Sequence, residues 1–170
     1  DEVGAEAFHH TTSHILAQAV KRLYPDTKCA IGPAIKDGFY YDFEFSFPFT
    51  TEHLAAVEKE MRSIVKQGIP LERSTMGREE AIAYMKERNE DYKVELIEDL
   101  PEDAELSFYS QGDFTDLCAG PHVANTSVIK AFKLQSVAGA YWRGDEHRQM
   151  LTRIYGTSFP KAADLEAYVK

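Results

Sequence analysis

The run of seven residues from Phe39 to Phe45 constrains this chain more than any other stretch. Phe39, Tyr41, Phe43 and Phe45 fall on one side of it, and Tyr40, Asp42 and Glu44 on the other. Successive side chains of a strand point to opposite faces of its sheet, so this run is a strand with one aromatic, half-buried face. Such a face needs an apolar cover. Residues 6–24 supply one, because Phe8, Ile15, Leu16, Ala19, Val20 and Leu23 recur at helical spacing before Pro25-Asp26 ends the helix. Lys28 to Ile31 reads as a short strand broken by Gly32-Pro33, and Asp37-Gly38 is a hairpin-type turn into the alternating run.

The remaining segments follow the same logic. Ser46 to Phe49 is a linker, and Thr50 or Thr51 caps a helix to Gln67 with Leu54, Val57, Met61, Ile64 and Val65 inward and Gly68 as its stop. Pro70 to Ser74 is a strand, 77–88 a helix, and the segment around Tyr92-Lys93-Val94-Glu95-Leu96 a short helical turn. Leu106 to Ser110 and Phe114 to Cys118 are strands around a Gln111-Gly112-Asp113 turn. Val128 to Gln135, Gly139 to Arg143 and Met150 to Gly156 are three more, and Lys161 to Lys170 is a terminal helix. Helices and strands mix without regular βαβ alternation. The expected class is therefore α+β, with a mixed, largely antiparallel sheet packed with helices. A chain of 170 residues fits one domain, with a core from about residue 8 to 159.

Composition excludes some functions. No apolar run approaches the about eighteen residues needed to cross a bilayer, and the acidic start, Asp1, Glu2 and Glu6, is not that of a signal peptide. Two cysteines, Cys29 and Cys118, make no disulfide framework, which fits a cytoplasmic setting. The net charge is −9, so any nucleic-acid role needs a local basic patch or basic surface elsewhere. Lys28, Lys36, Lys130, Lys133, Arg143, Arg148 and Arg153 give the sheet half a modest basic share.

Two stretches carry chemistry. In the first, His10 and His14 lie one turn apart on the N-terminal helix, with Thr11, Thr12 and Ser13 between them. In the second, Cys118 and His122 have the same spacing but Gly120-Pro121 between them, so they sit on a sharp loop, with Asp116 two residues before. Three imidazoles and a thiol suit zinc. Four protein ligands, however, close a tetrahedral site, and catalysis needs an opening. Three alternatives stand: a structural metal, one residue standing off, or four groups acting on substrate without metal, a histidine then serving as general base. Tyr141-Trp142-Arg143 fits either base stacking with phosphate pairing or an aromatic cover on a sheet edge. By spacing alone, Lys93 faces solvent.

Taken together, His10–His14, Ile31–Pro33, Asp37–Asp42, Asp91–Val94, Asp116–Val123, Phe132–Leu134, Val137–Asp145 and Met150–Gly156 resemble, in order over nearly the whole chain, the second N-terminal (editing) domain of bacterial threonyl-tRNA synthetases, which is related to the editing domain of alanyl-tRNA synthetases. The resemblance implies hydrolysis of the ester joining a wrongly attached serine to the 3′-terminal adenosine of tRNA(Thr), with threonyl excluded by size. It implies catalytic roles for His10, His14, Lys93, Cys118 and His122, and substrate-binding roles for Tyr41, Asp116 and Gly32. The threonyl branch implies no metal, whereas the alanyl branch uses the four His/Cys positions for zinc. The resemblance also implies partner domains for aminoacylation and anticodon binding, toward which 161–170 would lead.

Overall fold

A computed structural model describes residues 2–118 and 120–159. In chain order the elements are α1 (Glu2–Leu23), β1 (Lys28–Cys29), β2 (Ala34–Ile35), β3 (Gly38–Glu44), α2 (Leu54–Gln67), β4 (Glu72–Met76), α3 (Arg78–Glu87), α4 (Asp91–Glu98), β5 (Leu106–Gln111), β6 (Phe114–Leu117), β7 (Ala131–Tyr141) and β8 (Met150–Phe159). Short 3₁₀ turns lie at Thr51–His53, Thr126–Val128 and Trp142–Gly144. The α+β class is as expected. The helix expected at 161–170 lies outside the described residues.

The single sheet expected from the sequence is two, and both are antiparallel. The larger runs β1-β3-β8-β7, with β2 also on β3; the smaller runs β4-β5-β6. On the larger sheet Tyr41 stands opposite Ile154 and Asp42 opposite Arg153. The alternation thus sorts as the sequence implies, with Tyr41 and Phe43 buried and Asp42 on the other face bound by the Arg153 guanidinium at 2.8 and 3.0 Å. The aromatic face meets Ile15, Leu16, Ala19 and Val20 of α1 and Val57, Met61 and Ile64 of α2 in one core. Gly68 ends α2 in the left-handed conformation at φ 61°, where a side chain would strain.

A second cluster joins Ala81 and Met85 of α3, Val94 and Ile97 of α4, and Leu106 and Phe108 of β5. It seats α3 and α4 beside the smaller sheet. Three local expectations are corrected. The strand expected at Lys28–Ile31 is shorter, β1 at Lys28–Cys29, and a further strand, β2, follows the Gly32-Pro33 turn. The two strands expected at 128–135 and 139–143 are one, β7, because a register shift between Leu134 and Ser136 lets it follow β8 without breaking at Gly139. Arg143, at φ 57°, lies in a turn rather than a strand.

Candidate functional site

The helix start and the loop after β6 meet. Packing of Ile15, Leu16 and Ala19 on the larger sheet fixes the rotation of α1, so His10 and His14 face the end of β6. The loop after β6 returns against α1, where Thr11 Oγ1 accepts from the Val123 amide at 3.1 Å and lies 3.0 Å from His122 Nδ1. Cys118 Sγ then lies 3.2 Å from His10 Nε2 and 3.1 Å from His122 Nε2, and accepts from the Gly120 amide at 3.2 Å. The His10 and His122 rings stack at 4.5 Å, and those of His14 and His122 are 4.4 Å apart. Tyr109 of β5 backs the His122 ring at 4.4 Å.

A charged network adjoins this cluster. Asp116 on β6 is buried, with Lys93 Nζ at 2.7 Å, His14 Nε2 at 3.5 Å and the Tyr41 hydroxyl donating to it at 2.6 Å. Lys93 is 4% exposed, which corrects the reading from spacing. The signal was in the sequence: Lys93 lies one turn before Ile97 and beside Val94, on the stripe by which α4 is buried. Its ammonium passes over the edge of the Tyr41 environment, 5.3 Å from that ring's centre.

Gly32 also comes to this site, by making room. A Cβ there would stand 2.0 Å from the Tyr41 ring. The Gly32 carbonyl accepts from Ser13 Oγ at 2.9 Å, so α1 holds the turn against the ring. Thr11, Ser13 and Tyr109 are the neighbours that motif spacing did not single out. The small polar residues between the two histidines were the only sequence signal for the first two.

Burial decides the protonation states. It pushes His14 down to about 3 and His122 down to about 2, each further lowered by nearby cationic or imidazole groups, and it lowers His10 as well. At neutral pH the three imidazoles are neutral. Burial pushes the Cys118 thiol up to about 12, so it is a thiol and not a nucleophilic thiolate. Burial alone would raise the Asp116 carboxyl, but Lys93 and His14, with the hydrogen bonds from Lys93 and Tyr41, hold it below the ordinary carboxylate value. The site is therefore one carboxylate and one ammonium among neutral groups.

Donor atoms of His10, His14, Cys118 and His122 all lie within 4.8 Å of one another, and the set fits zinc by distance and chemistry. Buried His14 Nδ1 has no hydrogen-bond partner among the described residues, while Nε2 of the same ring faces Asp116. That is how a carboxylate-backed ligand histidine is arranged. The same four ligands would leave no open position.

Trp142 is 2% exposed and packs with Ala30 and Leu151, and its Nε1 donates to Glu95 Oε2 at 2.9 Å. Arg143 and Arg148 pair with the same Glu95, and Arg143 also with Asp99. Of the two readings of this segment, cover and anchor is the one found: the β7–β8 tip holds α4. Lys28 pairs with Asp91, Lys133 with Glu58 and Arg153 with Asp42, so most of the expected basic share is neutralised in place.

The sequence profile of the threonyl and alanyl tRNA synthetase second additional domain matches residues 106–155, which run from β5 through the Cys118–His122 loop into β8. The chain is 66% identical over 99% of its length to the threonine–tRNA ligase of Acetivibrio thermocellus, and 64% identical to those of Clostridium novyi over 99% and Clostridium tetani over 100%. It spans about a quarter of the length of these relatives, 27%, 26% and 27%. Fold and site together define a second additional domain of the threonyl and alanyl tRNA synthetase type. Within that class the chain belongs to the threonyl-tRNA synthetases. Among the described residues no helix is long and apolar enough to cross a membrane.

Proposed function

We propose that this domain hydrolyses the ester between serine and the 3′-terminal adenosine of mischarged tRNA(Thr), and spares the threonyl ester. One observation carries the reading: a buried Lys93–Asp116 pair set against three neutral imidazoles, where two stretches a hundred or so residues apart meet. An ester hydrolase needs a group to take a proton from water, a charge to steady the oxyanion, and a counter-charge for the substrate ammonium.

His10 is the more exposed of the two helix histidines and is neutral, so it takes the proton from water. Lys93, paired with Asp116, steadies the developing oxyanion. Asp116, fixed by Tyr41, receives the seryl amine. Cys118 and His122 form the pocket wall beside it, and His14 faces Asp116. Serine differs from threonine by one methyl, worth about 1–3 kcal/mol in a synthetic pocket, so a second pocket that rejects the larger group is needed for fidelity.

We take the site to work without resident metal, because four protein ligands would fill a tetrahedral shell. If zinc were bound by His10, His14, Cys118 and His122 it would supply structural cross-linking and lower the thiol pKa. The remaining domains of a full-length synthetase would hold the tRNA body in this reading, which suits a module with a charge of −9, and a cytoplasmic setting goes with it.

The test is deacylation of seryl-tRNA(Thr) and threonyl-tRNA(Thr) by the purified chain, with zinc content measured on the same preparation. The expected result is seryl-selective hydrolysis, lost in His10→Ala and Cys118→Ala variants that keep the native circular dichroism spectrum. Equal hydrolysis of both esters would sink the size sieve. Stoichiometric zinc whose removal abolishes activity would replace the metal-free reading.

A further inference from the structure

We propose that Thr11 is a positioning residue of this site: its hydroxyl fixes His122 as the tautomer with the proton on Nε2, and thereby turns the Cys118 thiol proton toward His10. Thr11 is fully buried on α1 between the two histidines. Among the described residues its Oγ1 has two hydrogen-bond partners, the Val123 amide at 3.1 Å and His122 Nδ1 at 3.0 Å. The amide can only donate, so the oxygen accepts there. The oxygen has a second lone pair, but only donation to His122 Nδ1 gives the buried hydroxyl proton a partner among the described residues. That nitrogen must present a lone pair, and a neutral imidazole with a bare Nδ1 carries its proton on Nε2.

The rest of the chain of bonds follows from donor counting. His122 Nε2 is 3.1 Å from Cys118 Sγ, and donates to it. The sulfur already accepts from the Gly120 amide at 3.2 Å. With two donors on the sulfur, the thiol proton is directed to its third neighbour, His10 Nε2, at 3.2 Å. Donors therefore run one way, from Thr11 through His122 and Cys118 to His10, whose Nε2 lone pair ends the chain; the thiol is a weak donor, so a water that displaces it finds that lone pair. A metal on His122 Nε2 would require the opposite tautomer, with the Thr11 hydroxyl turned away. Serine at position 11 can make both bonds; valine, of nearly the same shape, can make neither.

The significance for catalysis rests on the esterase reading above, but the tautomer does not, and the experiment separates the two. In the chain labelled with ¹⁵N-histidine, the nitrogen shifts and couplings of His122 should report Nδ1 as unprotonated and Nε2 as protonated. Thr11→Ser should keep that pattern, and Thr11→Val should give a mixture or the reverse. On seryl-tRNA(Thr), Thr11→Val should lower kcat about 10- to 100-fold with KM unchanged, the range for loss of a residue that orients a functional histidine, while Thr11→Ser stays near the parent. A His122 that carries its proton on Nδ1 in the unsubstituted chain overturns the proposal. So does a Thr11→Val variant with unaltered tautomer and kcat. Should Thr11→Val fail to fold, the unsubstituted and Thr11→Ser spectra still decide. An inactive chain with the expected tautomer would refute the esterase reading alone.

Discussion

Asp116 binds three neighbours with two oxygens, and all four groups are buried. A buried ion pair adds little over an apolar pair, but removing one partner leaves a charge with no solvent, at a cost of about 3–5 kcal/mol. Asp116→Asn should therefore destabilise the chain by about that amount, because the buried Lys93 side chain loses its ion-pair partner. Lys93→Met in the same background should recover a large part of the loss, since the orphaned charge goes with it. Urea unfolding of the two single variants and the double variant measures the coupling. Strictly additive losses would mean that Lys93 finds another partner or water, and that the pair is not the organising charge of the site. Nothing in the local sequence marks Asp116 as buried beyond the alternation Phe114-Thr115-Asp116, in which it shares the inward side with Phe114. That alternation was legible; the identity of its partner was not, since Lys93 comes from a different helix and a different sheet neighbourhood.

At the scale of elements, the site is a meeting of one helix, one loop, one turn and one incoming helix, and these differ in how far the sequence reveals them. The α1 rotation is written in its apolar spacing, and β3 in its strict alternation. The Gly32-Pro33 turn is written as a break in a strand. Its role is not, because that role is a matter of space: Gly32 lies flat on the Tyr41 ring, and the Ser13 hydroxyl pins its carbonyl. Continuity of β7 across Gly139 was illegible for a similar reason, since a partner strand and a register shift hold it together and no apolar period does. Trp142 equally gave no sign of choosing Glu95. The turn can be tested directly. Gly32→Ala places a carbon 2.0 Å from Tyr41 Cδ2, inside any permitted contact, so the ring or the turn must move. The expected cost is about 1–3 kcal/mol of overpacking. The displaced hydroxyl should also loosen its 2.6 Å bond to Asp116, so seryl-ester hydrolysis should fall more than stability accounts for. An alanine variant with the parent's kcat and urea midpoint would show that the turn yields without disturbing Tyr41.

For the whole molecule, acid is the condition that reads the site against everything else. His14 and His122 have folded pKa values lowered to about 3 and about 2, His10 and His9 are lowered too, and an unfolded histidine titrates near 6.5. Above about pH 6.5 these rings are neutral in both states and contribute no pH dependence. As pH falls below it, the unfolded chain binds protons that the native chain refuses, so stability is lost, by up to about 1.4 kcal/mol per pH unit for each such ring. Asp116 has the same sign in a lower window: its folded pKa lies below the ordinary 3.8, so its contribution is present above that value and is lost as pH falls through it. The histidine window runs down to about 3 and about 2 and so overlaps that of Asp116 at its low end, but above about pH 5 the histidines act without Asp116. Between pH 7.5 and 5.0 the fall belongs to the histidines, and for His14 and His122 together it is on the order of 4 kcal/mol, enough to move a urea midpoint by more than half of what a marginally stable domain has. His14→Gln should make that fall shallower, because one titrating ring is gone. Urea titrations at pH 7.5, 6.0 and 5.0 on both proteins decide it. A midpoint that does not move between pH 7.5 and 5.0 would mean that the rings take up protons in the folded state as readily as in the unfolded one, and that burial does not hold the cluster neutral.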